Sequence, residues 1–477
     1  MKKSYFLLCS VVALCLCSCG KKPEEKGLTD VEKANMTVEF NEVADNCMVD
    51  PEVKTYIDAM EAQEKTLEKP YHFSPLYGPS DYSRMAAKEK SESYGKSGNT
   101  YPSNETGGVD VCQYLGNNAK DKNIPIVVKW NANGEAYEEA KVKFWSTKDH
   151  SDLRETAVTV DSDGVASASL ENLKRSTKYR IQLFDGSNVS QGFEFETGDY
   201  PRFLNMGRIR NVRDIGGFET SYGVRTNQGY LYRGYYIDDK SGGHGVNYDE
   251  NAGKVQAEVM HIGMELDLQK TSETNGRTAS CLEGADYRCL TLISYDDFLK
   301  QDSYQNLPAV FEILANADQK PVYFHCWGGA DRTGMLAFFI NAICGVSYTD
   351  LIEDFEITSE SNNVRCHMHN SSSAAYSKFI NAFTRWDGYD KDKTVNENCE
   401  KWLLEVPVDA EGNHVTEEQI LKIRQIMIPG YTDAMEQNIP TYTPSSETRE
   451  DDYGVWNPAV EDPNVRCNYQ RKDEMQA

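Results

Sequence analysis

The most restrictive feature of the sequence is residues 321–344, where the pattern of side chains changes twice. The stretch opens with a short apolar β-type run that ends at His325, and it then passes through a glycine-rich loop. It ends with residues 335–344, an apolar run that contains no glycine or proline. Such a run is typical of a buried helix. The stretch therefore predicts a strand, a loop and a helix in succession.

The loop between this strand and this helix has the properties of an oxyanion site. Backbone N–H groups at a helix start have no partner within the helix, and they point at one spot at the positive end of the helix dipole. Cys326 begins the loop and Arg332 ends it, with five residues between them. A helix start and a guanidinium both favour the thiolate form of cysteine, and the guanidinium fork also matches two phosphate oxygens. The loop is predicted to bind a phosphate and to aim a thiolate at it.

The pattern His-Cys-x-x-Gly-x-x-Arg-Thr is formed by His325, Cys326, Gly329, Arg332 and Thr333. It resembles the signature of the cysteine-dependent protein tyrosine and dual-specificity phosphatases. The resemblance implies that Cys326 attacks phosphorus, that Arg332 holds the phosphate, and that no metal or organic cofactor is needed. It also implies that His325 braces the loop and that Thr333 donates a hydrogen bond to the sulfur. The alternative is an inert buried thiol in an ordinary strand, turn and helix. The loop residues predicted to bind substrate are Trp327, Gly328, Gly329 and Ala330.

A second motif lies upstream, in residues 209–217 and 229–234. The first segment reads Ile-Arg-Asn-Val-Arg-Asp-Ile-Gly-Gly and the second reads Gly-Tyr-Leu-Tyr-Arg-Gly. Together they resemble the opening of one bacterial tyrosine phosphatase family, sometimes grouped with secreted and lipid-active phosphatases. The paired glycines suit a tight turn with positive φ. Arg213 and Arg233 are predicted to add positive potential near the site, with Arg213 as a substrate contact; the alternative is an ion pair with Asp214 or a neighbouring acid.

The general acid that protonates the leaving oxygen has three candidates. In much of the phosphatase superfamily it is an aspartate about thirty residues before the cysteine, and Asp296 and Asp297 lie at that distance from Cys326. Asp331 is the third candidate, and it is preferred because it matches a motif position of the bacterial family. That family also has a lysine where this chain has Ala330. The loop therefore brings one fixed positive charge to its substrate instead of two.

Upstream of this region, residues 124–196 change to a period of two, with Asn-Gly, Asp-Gly and Gly-Ser turns. Short strands at this spacing predict a small β-sandwich. Leu173, Thr177 and Tyr179 resemble the tyrosine corner of fibronectin type III domains, with Arg175 where proline is usual. No catalytic constellation occurs there, so a spacer or a partner-binding module is predicted. The predicted strands are residues 124–130, 140–146, 155–160, 165–170, 179–184 and 192–196.

The N-terminus has the pattern of an export signal. Two lysines precede an apolar run of residues 5–16, which is too short to span a membrane. The end of the run resembles a bacterial lipobox, in which case Cys19 is lipidated and becomes the mature N-terminus. The alternative is a plain signal peptide cleaved nearby. The formal charge of −25 argues against a nucleic-acid partner.

The remaining cysteines and histidines give no metal site. Nine of the 13 cysteines lie outside the signal, and they form no Cys-x-x-Cys pair. Cys281 and Cys289 are the nearest couple for a disulfide. A surface loop is predicted at residues 365–369. Helices are predicted at residues 50–65, behind the loop at residues 345–355, and after the capping-box spacing of residues 416–419.

These features predict a multidomain chain, with a small all-β sandwich followed by an α/β cysteine-phosphatase domain. The resemblance implies a central mixed sheet flanked by helices for the second of these. Three activities fit: a protein tyrosine phosphatase, a phosphatase of phosphoinositides or inositol polyphosphates, and an exported binding protein that has lost turnover. The predicted domains are residues 1–19 (lipoprotein signal), 20–108 (tether and irregular or helical segment), 109–199 (sandwich), 200–437 (catalytic) and 438–477 (irregular tail).

Overall fold

The structure is a computed structural model in which the chain divides into two compact units. Of the described residues, 36–44, 126–170 and 177–197 fall in the smaller unit, and the others fall in the larger. The segments predicted around Cys19, at 50–65, at 365–369 and at 438–477 lie outside the described residues. No described helix has the length and apolar character of a membrane span. The described residues are 36–44, 73–74, 78–79, 125–148, 152–198, 201–238, 247–274, 276–293, 301–361, 375–390 and 392–436.

The described strands, in chain order, are β1 Glu42–Ala44, β2 Phe73–Ser74, β3 Gly78–Pro79, β4 Ile126–Asn131, β5 Lys141–Ser146, β6 Arg154–Ala157, β7 Thr159–Val160, β8 Val165–Leu170, β9 Lys178–Asp185, β10 Asn188–Val189, β11 Phe193–Glu196, β12 Arg213–Asp214, β13 Leu231–Gly234, β14 Met264–Asp267, β15 Asp286–Cys289 and β16 Val322–His325. The described α-helices are α1 Glu250–Val255, α2 Gln301–Tyr304, α3 Leu307–Leu314, α4 Arg332–Ile343, α5 Tyr348–Glu356, α6 Ala375–Thr384, α7 Val395–Glu405, α8 Glu417–Met427 and α9 Asp433–Glu436. A π-helical turn, Gln256–Met260, follows α1, and a 3-10 turn, Ile357–Glu360, follows α5.

The smaller unit contains two antiparallel sheets, in the orders β1-β4-β8-β7 and β10-β9-β5-β6, with β11 also paired to β9. Along β4, Ile126, Val128 and Trp130 are buried, while the residues between them are partly exposed, which is the pattern of a strand with one core face. The predicted strand at residues 155–160 is two strands, because β6 pairs with β5 whereas β7 pairs with β8 in the other sheet. The fibronectin type III assignment stays a prediction.

The larger unit is built on a five-stranded mixed sheet in the order β12-β13-β16-β14-β15. β12 is antiparallel to β13, and the other three pairings are parallel. This agrees with the expected central mixed sheet. The central strand β16 is buried along its whole length, and its last residue, His325, is level with Gly234 of β13 and Asp267 of β14. The loop after β16 therefore starts at the carboxyl ends of the parallel strands, in the centre of the sheet.

Helix α4 is packed against two other helices by aromatic side chains. Phe339 on α4 stacks on Trp402 of α7 with ring centroids 5.0 Å apart, and Phe338 meets Phe379 of α6 edge-on at 5.2 Å. Such contacts add to the hydrophobic stabilisation of burying the rings. Ala252 of α1 belongs to a second apolar cluster, apart from the one that contains the residues of α4. Because α4 is buried on all sides after its first residue, the loop that leads into it has a fixed end.

The helix and strand predictions differ from the structure at their ends. The apolar run of residues 335–344 misses the first turn of α4, because Arg332, Thr333 and a glycine there do not continue its pattern. The capping box at the start of α8 is confirmed. Cys281 and Cys289 are both thiols, so the disulfide considered for them is not formed.

Candidate active site

The glycine-rich loop joins the carboxyl end of β16 to the start of α4, as the sequence predicts. Cys326 stands first in this loop and is only 2% exposed. Gly329 has φ +60°, and a Cβ built on it would lie 2.4 Å from the carbonyl oxygen of Gly234. Any side chain at this position would clash with backbone as well as strain its own. The loop can therefore pack against the end of β13 only with glycine at 329.

The carbonyl groups of the loop are held from behind by the upstream motif. Asn211 Nδ2 donates to the carbonyl oxygens of Gly328 and Gly329 at 3.3 and 3.1 Å. Arg233 Nη2 donates to the oxygens of Gly329 and Ala330 at 2.8 and 3.5 Å. In a trans peptide the next N–H points opposite to the carbonyl. The N–H groups that follow these carbonyls therefore point away from the Asn211 and Arg233 side chains, which is the arrangement an oxyanion needs.

A buried carboxylate holds the two side chains, Asn211 and Arg233, that bind the loop carbonyls. Asp354 of α5 pairs through Oδ1 with Arg213 Nε at 2.9 Å and through Oδ2 with Arg233 Nη1 at 2.5 Å. Arg213 also donates from Nη1 to Asn211 Oδ1 at 2.6 Å. Burial alone would raise the pKa of Asp354, but the two guanidinium groups outweigh it and hold that pKa below its usual value. One carboxylate thus positions both Arg233 and, through Arg213, the amide of Asn211.

Arg213 therefore does not have the geometry of the predicted substrate contact. Its side chain is fully buried, and its guanidinium is directed at Asp354, Asn211 and Thr358. Burial and the neighbouring charge of Arg233 lower its pKa to about 10, where it is still protonated at neutral pH. The alternative prediction, an ion pair with an acid, describes its position, although the acid is Asp354 and not Asp214.

His325 lies beneath the loop between acceptor oxygens. Its Nε2 is 3.0 Å from Glu265 Oε1, its Nδ1 is 3.3 Å from the carbonyl oxygen of Cys326, and Asp267 Oδ1 is 3.8 Å from Nδ1. Burial alone would lower the pKa of His325, but Asp267 and Glu265 outweigh it and raise the pKa. Glu265 is itself held by Arg277 Nη2 at 2.8 and 2.9 Å. The imidazole is thus fixed in orientation and favoured as the cation.

Arg332, at the other end of the loop, has a carboxylate partner that the sequence does not suggest. Its Nη1 donates to Glu273 Oε2 at 2.7 Å. Burial alone would lower the pKa of Arg332, but Cys326 and Glu273 outweigh it and raise the pKa, Cys326 acting through charge and a side-chain hydrogen bond. Arg332 therefore faces both the thiol and Glu273, and a bound phosphate shares this guanidinium with that carboxylate.

The remaining predicted site residues differ in how far they are buried. Thr333 is fully buried in the first turn of α4, and its hydroxyl has no hydrogen-bond partner among the described residues, so it is available to the sulfur of Cys326. Asp331 is half-buried directly before α4. Trp327 is 49% exposed. Asp296 and Asp297 lie outside the described residues.

The sequence predicts the residues of the loop, but it does not predict the residues that support the loop. Asn211 stands in the segment that resembles the bacterial family and Asp354 in the helix predicted at residues 345–355, but nothing local assigns either of them a role. Asn211 has φ +56°, a conformation that asparagine tolerates better than most residues, so its backbone also favours this residue type. Glu265 and Glu273 give no sequence signal, because a single glutamate near a strand end is common on any surface.

Comparison with known proteins bears on the larger unit. Residues 204–397 match a family model described as the tyrosine phosphatase family. This match indicates a phosphoric monoester hydrolase. The match begins before the Asn211 motif and ends beyond the α4 and α5 helices, so it includes the whole of the loop and its braces.

The solved structures that resemble the chain include the core catalytic domain of the PP-IP phosphatase SIW14 from S. cerevisiae in complex with citrate. The identity is 17%, the match covers 28% of this chain and 74% of that chain, and the TM-score is 0.20. No curated protein matches the chain.

Proposed function

We propose that this chain is a cysteine-dependent protein tyrosine phosphatase that acts through a cysteinyl-phosphate intermediate. The observation that carries the proposal is the loop after β16, which has Cys326 at its start and Arg332 at its end, and whose carbonyls are bound by Asn211 and Arg233. This arrangement puts a thiol and the N–H groups of the loop at the start of a twelve-residue helix. An in-line attack uses these groups to hold the phosphate and to attack it, and a general acid protonates the leaving oxygen.

The reaction has two balanced steps. In the first, the sulfur of Cys326 forms a bond to phosphorus as the bond from phosphorus to the ester oxygen breaks, and an aspartic acid gives that oxygen its proton. Arg332 and the loop N–H groups stabilise the charge on the equatorial oxygens. In the second, water attacks phosphorus and gives a proton to the aspartate, the S–P bond breaks with its electron pair on the sulfur, and inorganic phosphate leaves. The hydroxyl of Thr333 donates a hydrogen bond to the departing thiolate in this proposal.

A substrate panel tests the choice of substrate class. Purified protein is expected to hydrolyse phosphotyrosyl peptides at least about tenfold more efficiently, by kcat/KM, than phosphoinositides or inositol polyphosphates. The reason is charge: Ala330 stands where relatives place lysine, and Arg213 and Arg233 are fully buried and share the carboxylate of Asp354. A preference for the polyphosphates would contradict this choice, and no turnover of any phosphate ester would favour the exported binding protein without catalysis.

The general acid is proposed to be Asp331. Asp331→Asn is expected to lower kcat by about a hundredfold for substrates with poor leaving groups and much less for 4-nitrophenyl phosphate, because a good leaving group needs little protonation. The measurement is kcat across a series of aryl phosphates. Asp296→Asn and Asp297→Asn are the matched variants, and a leaving-group dependence seen only in one of them would move the role to that residue.

The N-terminal part completes the proposal. A lipid on Cys19 would anchor the exported protein to a bacterial membrane or cell surface. The test compares how the protein and its Cys19→Ala variant partition between the membrane and soluble fractions. The two antiparallel sheets are proposed to form a fibronectin type III-like module that spaces the phosphatase from the membrane or binds a partner. The strand pattern of β4 to β11 supports this second part.

A further inference from the structure

The cations around the active loop share two carboxylates. Arg332 pairs with Glu273, whose side chain is 36% exposed, and Arg213 and Arg233 share Asp354. One positive charge of the three is left over, but it belongs to the two arginines that are fully buried. A ligand with several phosphate groups therefore meets no exposed guanidinium from that pair. It also meets the repulsion of Glu273. Whatever the substrate presents beyond its one reacting phosphate must be recognised by contacts other than charge.

The loop itself offers such a contact. Trp327 directly follows Cys326 and is 49% exposed, whereas Cys326 and Ala330 are 2% and 1% exposed. Large apolar side chains with this much exposure are few among the described residues, where the others are Leu153 and Phe193. About half of the Trp327 side chain is thus open to solvent directly beside the nucleophile, where a substrate has to approach.

The position of Trp327 relative to the nucleophile is also fixed. Adjacent Cα atoms are about 3.8 Å apart, and the carbonyl oxygen of Trp327 accepts a hydrogen bond from the backbone N–H of Tyr236 at 3.5 Å. Its backbone is thus held beside Cys326 while its side chain reaches the surface. A phosphate attacked in line by the buried sulfur must send its leaving group outward, toward that surface.

We propose that the indole of Trp327 is the specificity-determining surface for the leaving group, and that it packs against the aromatic ring of a phosphotyrosyl residue. This inference rests on the proposed function and assigns its preference for aryl esters to one side chain. Ring against ring contact in an offset or edge-on arrangement is favourable beyond simple burial. An inositol ring, which carries hydroxyl or phosphate groups on every carbon, offers no such face.

The test compares two esters with good leaving groups, one with a ring and one without. Trp327→Ala is expected to lower the ratio of kcat/KM for 4-nitrophenyl phosphate to kcat/KM for acetyl phosphate about tenfold, mainly through KM. Trp327→Phe is expected to keep most of the ratio, because it keeps a ring. An unchanged ratio in Trp327→Ala would overturn the assignment.

Two further measurements separate the indole from the loop and from the proposed function. Inorganic phosphate has no leaving group, so its inhibition constant is expected to change less than about threefold in Trp327→Ala; a tenfold change would mean a distorted loop and would count against the assignment. In the Cys326→Ser background, phenyl phosphate is expected to bind more tightly than inorganic phosphate, and Trp327→Ala to remove that difference. This binding readout tests the indole even if no turnover is found, which would defeat only the proposed function.

Discussion

Cys326→Ser is expected to abolish hydrolysis of 4-nitrophenyl phosphate, lowering kcat by at least about 10⁴-fold. A serine hydroxyl at this position is a far weaker nucleophile than the thiolate, because the hydroxyl keeps its proton at neutral pH. The reaction is followed in EDTA and reducing agent, so that neither metal contamination nor thiol oxidation affects the comparison.

Binding separates loss of the nucleophile from loss of the fold. The serine variant keeps Arg332, its Glu273 partner and the braced loop, so it is expected to bind inorganic phosphate about as well as the original protein. Cys281→Ser is the matched control, because it removes another thiol of the same unit. Unchanged turnover in the Cys326 variant would remove the proposed nucleophile, and lost turnover in the Cys281 variant would show that the assay reports general thiol damage.

Asp354→Asn is expected to reduce the free energy of unfolding by about 3–5 kcal/mol at neutral pH. The substitution leaves Arg213 and Arg233 buried, close together and without their shared carboxylate, and a buried uncompensated charge is costly. Because the folded state lowers the pKa of Asp354, its contribution is fully present above the ordinary carboxyl pKa of about 4 and is lost as pH falls through the lower folded value. Urea denaturation at pH 7 and at pH 3 measures both effects.

The difference between the two proteins should therefore be largest at neutral pH and should shrink in acid. Asp286→Asn makes the same chemical change in an exposed ion pair with Lys320, and it is expected to have little effect on stability. If Asp354→Asn were no more destabilising than Asp286→Asn, the buried pair would not be a support of the loop. Activity should fall with stability, because Asn211 and Arg233 lose their orientation.

The parts of the site that sequence could predict are those encoded within a short segment. The strand, loop and helix at residues 321–344 are written in consecutive residues, and so are the cysteine and arginine that the loop brings together. The capping box before α8 is equally local, since Thr416 and Gln419 lie in one helical turn. Such features need no knowledge of which strand pairs with which.

The parts that sequence could not predict depend on pairings between distant segments. Asp354 meets Arg213 across 141 residues and Arg233 across 121, and no local pattern selects this acid over its many neighbours. The same limit explains the substrate contact predicted for Arg213, because a positive charge near a motif does not reveal which face of the sheet it occupies. It also explains the single strand predicted at residues 155–160, where two successive strands join different sheets.

The bracing of the loop carbonyls sets a limit on how far this domain can be trimmed or grafted. A fragment with only β16, the loop and α4 would keep Cys326 and Arg332, but it would lack the donors of Asn211 and Arg233. Its peptide groups would then be free to rotate, and the N–H groups would no longer converge on one point. Moving this activity to another scaffold therefore requires transferring Asn211, β12, β13 and α5 together with the loop.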